Sequence, residues 1–505
     1  MEVPAWLMPH LFIMLLCGMM KPLLNLFTND TALIVFIMVF AGRYLRLLVS
    51  VWYFFQYKPA KVPLDPSKRK HTNKDVTILI PTVSCSKNDN ADFEECLTTC
   101  LINKPAKLVI ITDTKTRQQD ALEIVRQVRE KIENGTSVVE GLGPMSLEGV
   151  ETEVQYSGIA SKRRQLAQAI RKVETKLTLF VDDHVFLPRE FILHVVAAFE
   201  DDDVGICGTN KEVRRQAWTF SLVGLFMAFI NYLGCCYLAR HNFEIRATNA
   251  MDGGVFVVSG RSQMVRTDIL KEDGFLDGYL GERFLFGTIP ANGKTPLARL
   301  FAKYIFGQDL KETDETPGLD PDDDNFITRW IVRTGRKVKI QYSDETKIET
   351  TLGVYPKFFQ QCLRWSRTTI RSNPAALFTD RAIWRRWPWT VWTTYIACLF
   401  NFAFIWDPAI VYALTRTELY ANSEKKGMII ACLCLWIYLT KLVKPFNFLV
   451  NHPMDFFLFY FPIPVAPLFS YYHSILKAWS VLTFWDGTWS GRPTLGMDAQ
   501  KLRKD

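Results

Sequence analysis

The 505 residues include 49% hydrophobic and 13% aromatic side chains, and the apolar residues are concentrated towards the two ends of the chain. This distribution predicts membrane helices at the ends and a water-soluble domain between them. The net charge of +8 is not gathered in a dense basic stripe on a recognisable module, so nucleic acid is not expected as a partner. The 11 cysteines contain no CxxC pair, which argues against a zinc site and a disulfide framework.

Two apolar segments near the N-terminus, residues 7–27 and 32–55, are each near the length of about 20 residues that a bilayer requires. Both contain basic residues, Arg43 among them, and a charge near the centre of a membrane helix is costly. Residues 1–57 are therefore predicted to form one or two transmembrane helices.

A water-soluble domain is predicted over residues 58–378. Its strongest strand signals are three apolar runs, at 76–81, 108–113 and 177–182, and residues 120–133 between them have helical periodicity. Strands that alternate with helices indicate a doubly wound α/β sheet, which binds its ligands outside the carboxyl ends of the strands. Asp113 and Asp182, which end two of these runs, are expected at that edge.

Residues 217–238 form a long apolar segment inside the predicted soluble domain. A single membrane span here would place Asp182 and Asp324 on opposite sides of the membrane, and a site using both would be split. We therefore expect a helix that is buried in the domain or lies in the membrane interface.

The chain returns to apolar sequence after a basic segment at residues 379–387. Apolar runs then cover about 388–413, 427–444, 446–463 and 464–484, and the last two are interrupted by prolines. Residues 388–484 are predicted to contain three or four transmembrane helices, and residues 485–505 a cytosolic tail.

Asp182, Asp183 and His184 follow the third predicted strand. Carboxylates at the end of a buried strand can hold a divalent metal, which in turn neutralises a nucleotide diphosphate. His184 points the same way as Asp182 if the extended backbone continues. The alternative is that the aspartates are solvated residues of a turn.

Three further acids, Asp322, Asp323 and Asp324, precede an amphipathic helix that begins near Phe326. Carboxylates at a helix N-terminus are stabilised by the helix dipole, and this explains one acid without a catalytic role. The functional interpretation is that one of them is a general base that takes a proton from a sugar hydroxyl.

Lys162, Arg163 and Arg164 open a predicted helix over residues 165–173. Basic side chains there oppose the helix dipole, so either a bound diphosphate explains them or they form a solvated charge run.

Gln361, Arg364 and Trp365 lie shortly before the second apolar region. Arg364 can pair with a diphosphate and Trp365 can stack on a pyranose ring, although an Arg and a Trp also serve as membrane anchors. Ser259-Gly260-Arg261 ends an apolar run at residues 255–258 that is predicted to be a strand.

These motifs, in this order, resemble those of processive family 2 glycosyltransferases, which include hyaluronan, cellulose and chitin synthases. The greatest similarity is to fungal type 2 glycosyltransferases and capsular polysaccharide synthase-like proteins. The resemblance covers about residues 30–492, and its most specific element is the acidic run at 322–324 followed by Gln-Cys-Leu-Arg-Trp at 361–365.

The resemblance implies a cytosolic GT-A domain flanked by transmembrane helices, a UDP-sugar donor, a divalent metal (Mg or Mn) and inversion at the anomeric carbon. It also implies the roles of individual residues, namely Asp324 as the general base; Asp113, Lys162, Arg163 and Arg364 as nucleotide-sugar ligands; Gln361, Trp365, Ser259, Gly260 and Arg261 as acceptor ligands; and Asp182 with Asp183 or His184 as metal ligands. His184 stands where the family has a second aspartate, and imidazole suits Mn better than Mg.

The function expected from this resemblance is extension and export of a polysaccharide by an integral plasma-membrane enzyme. A first alternative is a non-processive transferase that acts on a lipid, as ceramide glucosyltransferases do, since these share the Gln-x-x-Arg-Trp motif. A second is a transporter or scaffold that has lost catalysis, against which the acids and Arg364 argue.

Overall fold

The computed structural model describes residues 29–85, 90–217, 219–282, 321–461 and 465–484. The predicted helix at residues 7–27 and the predicted tail at 485–505 lie outside the described residues.

A seven-stranded sheet lies at the centre of the domain, with the strand order β3-β2-β1-β4-β8-β6-β9. β8 runs antiparallel to β4 and β6, and the other neighbours in this sheet are parallel. A second sheet has the order β5-β10-β7. The strands are β1 (Val76–Pro81), β2 (Lys107–Thr112), β3 (Glu151–Tyr156), β4 (Leu177–Val181), β5 (Val185–Phe186), β6 (Val204–Thr209), β7 (Lys211–Val213), β8 (Ser262–Arg266), β9 (Lys337–Gln341) and β10 (Ile348–Thr350).

Helices surround the sheet and continue towards the C-terminus. They are α1 (Asn29–Gln56), α2 (Ala91–Ile102), α3 (Lys115–Glu133), α4 (Lys162–Ile170), α5 (Phe191–Val196), α6 (Leu222–Asp252), α7 (Thr267–Leu270), α8 (Phe275–Gly281), α9 (Asp323–Arg333), α10 (Lys357–Pro374), α11 (Ile383–Arg386), α12 (Pro388–Thr390), α13 (Ala397–Phe400), α14 (Ala403–Thr415), α15 (Glu418–Ala421), α16 (Lys426–Thr440), α17 (Phe446–Asn451), α18 (Pro453–Phe459) and α19 (Val465–Leu482). Wider helical turns at Ala375–Asp380 and Val391–Ile396 link α10 to α11 and α12 to α13.

The central strands are buried on both faces, which explains their continuous apolar sequence. On one face they pack against α2 and α3, and on the other against α4 and α9. The three predicted strands and the predicted helix at 120–133 are all present, so the prediction of an α/β domain is confirmed.

The predicted strand at residues 255–258 is wrong, because this buried segment is irregular and the strand β8 begins only at Ser262. Its backbone groups are satisfied by side chains instead of by a neighbouring strand. Tyr395 donates from its hydroxyl to the carbonyl of Val255 at 3.2 Å, and Val258 donates from its N–H to Thr328 Oγ1 at 3.0 Å.

Two of the described helices are long and apolar enough to cross a membrane, one over Thr31–Gln56 and the other over Leu222–Asp252. A third candidate is a pair of helical segments, Pro388–Phe400 and Ala403–Thr415, that meet at an angle of 90°. Residues 222–238 of the predicted apolar segment are thus the first part of the longer α6, whose last turns pack on the seven-stranded sheet. There Asn249 donates to the carbonyl of Val338 in β9 at 3.0 Å.

Candidate active site

A cavity of about 740 Å³ opens where the carboxyl end of β4 meets the start of α9, with α10 and α6 closing it on the other side. It brings together residues that are far apart in the sequence. The predicted site residues that line it are Lys162, Asp182, Asp183, His184, Ser259, Gly260, Arg261, Asp324, Gln361, Arg364 and Trp365.

Lys162, the first residue of α4, connects two groups of acids in this cavity. Its Nζ lies 2.8 Å from Asp182 Oδ1 and 3.3 Å from Asp323 Oδ2. Burial alone would lower the pKa of Lys162, but the charges of these carboxylates outweigh it and raise the pKa above its ordinary value. Lys162 is therefore a fixed positive charge at the centre of the site.

Asp182, Asp183 and His184 form a turn and not a continued strand, because Val185 N–H donates to the carbonyl of Asp182 at 3.2 Å. His184 was expected to point the same way as Asp182 only if the extended strand continued, and it does not continue. His184 instead places Nδ1 2.9 Å from Asp183 Oδ1, and Thr82 donates to the other carboxylate oxygen of Asp183 at 2.6 Å.

The carboxylate of Asp182 is kept charged by its surroundings. Burial acts to raise its pKa, but the neighbouring charges of Lys162 and His184 lower it below the ordinary value for aspartate. A carboxylate that remains ionised is a group suited to binding cations.

In the same cavity the pKa of Asp324 is shifted in the opposite direction to that of Asp182. Burial and the charge of Asp323 raise its pKa to about 6, against the effect of Lys162 and of a hydrogen bond from the Gly260 N–H to Asp324 Oδ2 at 3.0 Å. A carboxylate that titrates near neutral pH can accept a proton during a reaction.

Gly260 is the residue that permits this close approach. A Cβ at this position would lie 3.1 Å from Lys162 Nζ and 3.2 Å from the Cβ of Asp324, both tighter than ordinary contacts. The glycine thus lets the backbone N–H reach the carboxylate of Asp324.

Asp322, which the sequence pattern did not single out from its neighbours, holds the site together. Its carboxylate accepts from Arg371 Nε at 2.7 Å and from a second guanidinium nitrogen at 3.1 Å, and both side chains are buried. Thr368 donates to the same carboxylate. These bonds join the start of α9 to α10, which carries Gln361, Arg364 and Trp365 in the cavity.

Trp365 contacts two other side chains that line the cavity. Its ring centroid lies 5.2 Å from that of Tyr237 in α6, and the Arg261 guanidinium lies 5.2 Å from the Trp365 ring centroid. Gln361 has a structural contact, because its Oε1 accepts from the Gly353 N–H at 3.1 Å.

Two of the predicted residues do not line the cavity. Arg163 is buried and donates to the Tyr279 carbonyl at 2.7 Å, to the Pro321 carbonyl at 2.9 Å and to Glu282. It therefore braces the backbone directly before Asp322. Asp113 is buried at the end of β2, where it pairs with Arg117.

Sequence reasoning missed the contribution of α6 to this site. Tyr237, Arg240, His241 and Glu244 all line the cavity. Their spacing of three, four and seven residues places them on one helix face, and this polar stripe directly after an apolar run was the available signal.

Comparison with known proteins shows the family to which a chain with this fold and cavity belongs. The chain belongs to the glycosyltransferase like family 2, whose family model matches residues 75–368. It is 31% identical over 459 residues to a type 2 glycosyltransferase of Pyricularia oryzae, covering 90% of this chain and 81% of that protein. A type 2 glycosyltransferase of Zymoseptoria tritici is 29% identical over 474 residues, covering 93% of this chain and 85% of that protein.

Among solved structures, the chain is similar to a mannosyltransferase of Pyrobaculum calidifontis in complex with GDP-Man and Mn²⁺. The TM-score is 0.48 at 14% sequence identity, covering 89% of this chain and 99% of the other.

Proposed function

We propose that this family 2 glycosyltransferase is an inverting enzyme of the plasma membrane that uses a UDP-sugar to extend and export a polysaccharide. The observation that carries the proposal is the contrast between Asp182 and Asp324, two carboxylates in one cavity of which one stays charged and the other has a pKa of about 6. A transferase needs both kinds of group, one for the charged donor and one for the acceptor proton.

In this mechanism Asp324 takes the proton of the acceptor hydroxyl. The hydroxyl oxygen forms a bond to the anomeric carbon of the donor while the bond from that carbon to the diphosphate oxygen breaks. UDP leaves with the bonding electron pair, and Lys162 and Arg364 stabilise its negative charge. In-line attack inverts the configuration at the anomeric carbon.

Asp113 is proposed to bind the base of the nucleotide. Within the described residues its Oδ1 is buried without a hydrogen-bond partner, and such an atom can accept an N–H of uracil. The strand register supports this position, since Ile111 lies opposite Pro81 and Val83, two residues after Pro81, lines the cavity. Arg163 supports the donor site indirectly, through the segment before Asp322.

A divalent metal fits this site only if the donor supplies part of its coordination. In the part of the chain that the structure describes, no three His, Cys, Asp or Glu side chains converge as a metal site. Asp182, together with Asp183 or His184, would offer two ligands, and metals that bind nucleotides take further oxygens from phosphate. Such a metal would neutralise negative charge on the diphosphate.

The membrane assignment is supported by the apolar helices α1 and α6 and by the bent pair at residues 388–415. Trp365, which contacts Tyr237 of α6, is proposed to stack on the acceptor sugar. The chain of the polymer would then leave along the membrane helices.

The test is turnover of a panel of labelled UDP-sugars by the purified full chain in lipid nanodiscs, with UDP release and product size measured together. We expect one or two donors to be consumed and a product of many sugar units to form. A product of one sugar on a lipid would contradict polymer extension, and absence of UDP release with every donor would contradict the enzymatic function.

A further inference from the structure

Arg261 lies in the active-site cavity, but the proposed mechanism does not use its charge. It ends the irregular segment at residues 255–261, directly before β8. The resemblance to processive family 2 glycosyltransferases implies that Ser259, Gly260 and Arg261 bind the acceptor. The contacts and the charge of Arg261 in this structure favour a different ligand.

The backbone of Arg261 is bonded to residues that are proposed to hold the donor. The Asp182 N–H donates to the Arg261 carbonyl at 3.1 Å. Lys162 Nζ donates to the carbonyl of the preceding residue, Gly260, at 3.3 Å. The side chain of Arg261 therefore starts next to Asp182 and Lys162, where the diphosphate is expected.

The guanidinium of Arg261 has no ion pair with a carboxylate among the described residues. Its Nε is buried and has no hydrogen-bond partner in that part of the chain. The guanidinium lies 5.2 Å from the ring centroid of Trp365. This contact with a neutral ring holds the cation in the cavity, but it supplies no negative charge.

The two nearest acidic clusters compensate the charge of Arg261 only in part. Asp182 lies 2.8 Å from Lys162 Nζ, and Asp324 accepts from the Gly260 N–H at 3.0 Å. Burial lowers the pKa of Arg261 below its ordinary value, and the charges of Asp182 and Asp324, which act to raise it, do not offset this. Because an arginine stays protonated all the same, an anion beside this guanidinium would be stabilised.

The diphosphate of the donor is the anion that this position fits. Lys162 and Arg364 line the same cavity, and Arg261 adds a third cation from a different element. The three cations come from α4, from α10 and from the segment before β8. A guanidinium offers parallel N–H donors that match two phosphate oxygens, whereas the hydroxyl of an acceptor sugar is neutral and would leave the charge uncompensated.

We propose that Arg261 binds the donor diphosphate and stabilises the departing UDP together with Lys162 and Arg364. This inference rests on the proposed function, and it assigns Arg261 to the donor in place of the acceptor role that the resemblance implies. When the bond from the anomeric carbon to the diphosphate oxygen breaks, that oxygen keeps the electron pair. The guanidinium of Arg261 then stabilises the added negative charge.

The experiment measures equilibrium binding of UDP and of uridine to the purified full chain in nanodiscs, with Mn²⁺ present. For Arg261→Gln we expect UDP to bind about tenfold more weakly or worse and uridine to bind as before, because the lost contacts are those to the phosphates. Arg261→Met keeps an apolar side chain to pack on Trp365 and should show the same selective loss. If Arg261→Gln does not fold, Arg261→Met alone provides the comparison.

Arg385→Gln is the matched control. Arg385 is an exposed arginine of α11 that lies outside the cavity, so both ligands should bind normally. Two results for the Arg261 variants would overturn the proposal. Normal binding of UDP with a raised KM for the acceptor would make Arg261 an acceptor ligand, and equal losses for uridine and UDP would make it a residue that supports the shape of the site.

UDP release from the panel of UDP-sugars, measured on the same samples, separates this inference from the proposed function. If the normal chain releases UDP and the Arg261 variants bind UDP as tightly as it does, only this inference is wrong. If the variants lose affinity for UDP but the normal chain releases none from any donor, only the proposed enzymatic function is wrong.

Discussion

The two acidic clusters of the active site have similar sequences and different environments. The first, Asp182 with Asp183 and His184, follows a buried strand, and the second, Asp322 to Asp324, begins a helix. Lys162 lies between them and pairs with one acid of each. In the first cluster the pKa of Asp182 is lowered, whereas in the second the pKa of Asp324 is raised to about 6.

The difference shows that the surroundings, and not the residue type, set the pKa of each of these carboxylates. Asp182 lies closer to the Lys162 ammonium than Asp323 does, so its carboxylate stays ionised. Asp322 is held by Arg371 and connects two helices. Asp324 accepts hydrogen bonds from the N–H groups of Gly260 and Asn325 and from Asn325 Nδ2, but burial and its two acidic neighbours outweigh them and disfavour its ionised form.

The largest effect is expected from Asp324→Asn. If Asp324 is the general base, kcat should fall by about 10²- to 10⁴-fold, because this is the usual contribution of a positioned base. The affinity for UDP should change little, since the proposed mechanism places Asp324 at the acceptor hydroxyl and not at the diphosphate. Rates of UDP release and equilibrium binding of UDP measure the two quantities separately.

The matched control is Asp344→Asn, because the Asp344 side chain is 94% exposed and lies outside the active-site cavity. It should keep normal rates. An Asp324→Asn enzyme with more than a tenth of the normal kcat would remove Asp324 from its proposed role.

Asp322→Asn should lower the free energy of unfolding, and its main effect should not be on the reaction itself. Removing one partner of a buried ion pair leaves Arg371 uncompensated, at a cost of about 3–5 kcal/mol in the free energy of unfolding. Asp324→Asn should instead raise the free energy of unfolding at pH 7.5, because it removes a buried charge that its surroundings disfavour. Thermal unfolding of both variants without donor tests the comparison, and equal shifts would contradict it.

A smaller effect on donor binding is expected from Asp182→Asn. The KM for the donor should rise on the order of 30-fold, because loss of one partner of a buried charge pair costs about 2 kcal/mol or more. kcat should fall less than KM rises. Initial rates at varied donor concentration measure both, and an unchanged KM with a large loss of kcat would reverse the roles proposed for the two clusters.

Much of the sheet could be predicted from the sequence, because β1, β2 and β4 are buried on both faces and their residues are therefore mostly apolar. The irregular segment at residues 255–258 could not, since its apolar side chains are buried like those of a strand. Its backbone groups bond instead to the hydroxyls of Tyr395 and Thr328, which are distant in the sequence.

The candidate site shows the same limit. Its acids and its Gln-x-x-Arg-Trp segment were predictable because each is a local pattern. Arg163 was expected to bind the nucleotide, and only the fold reveals that its guanidinium reaches Glu282 and the Pro321 carbonyl. The polar stripe on α6 indicates one polar helix face, but only the fold shows that Tyr237 and Arg240 on this face line the cavity.

The pH dependence of the reaction is the finest test of the contrast between the clusters. With a pKa of about 6, Asp324 is ionised and competent as a base above that pH, so kcat/KM should be level there and fall about tenfold for each pH unit below it. The pKa of His184 is raised above its ordinary value, because burial lowers it but the hydrogen bond and charge of Asp183 raise it more. Protonated His184 would be lost as a metal ligand, which also reduces activity at low pH.

Rate profiles of the normal enzyme and of His184→Asn distinguish the two groups. If the acid limb in the His184→Asn profile still has its midpoint near pH 6, it belongs to Asp324. If the limb disappears, the titrating group is in the first cluster, and the assignment of the base to the second cluster is wrong.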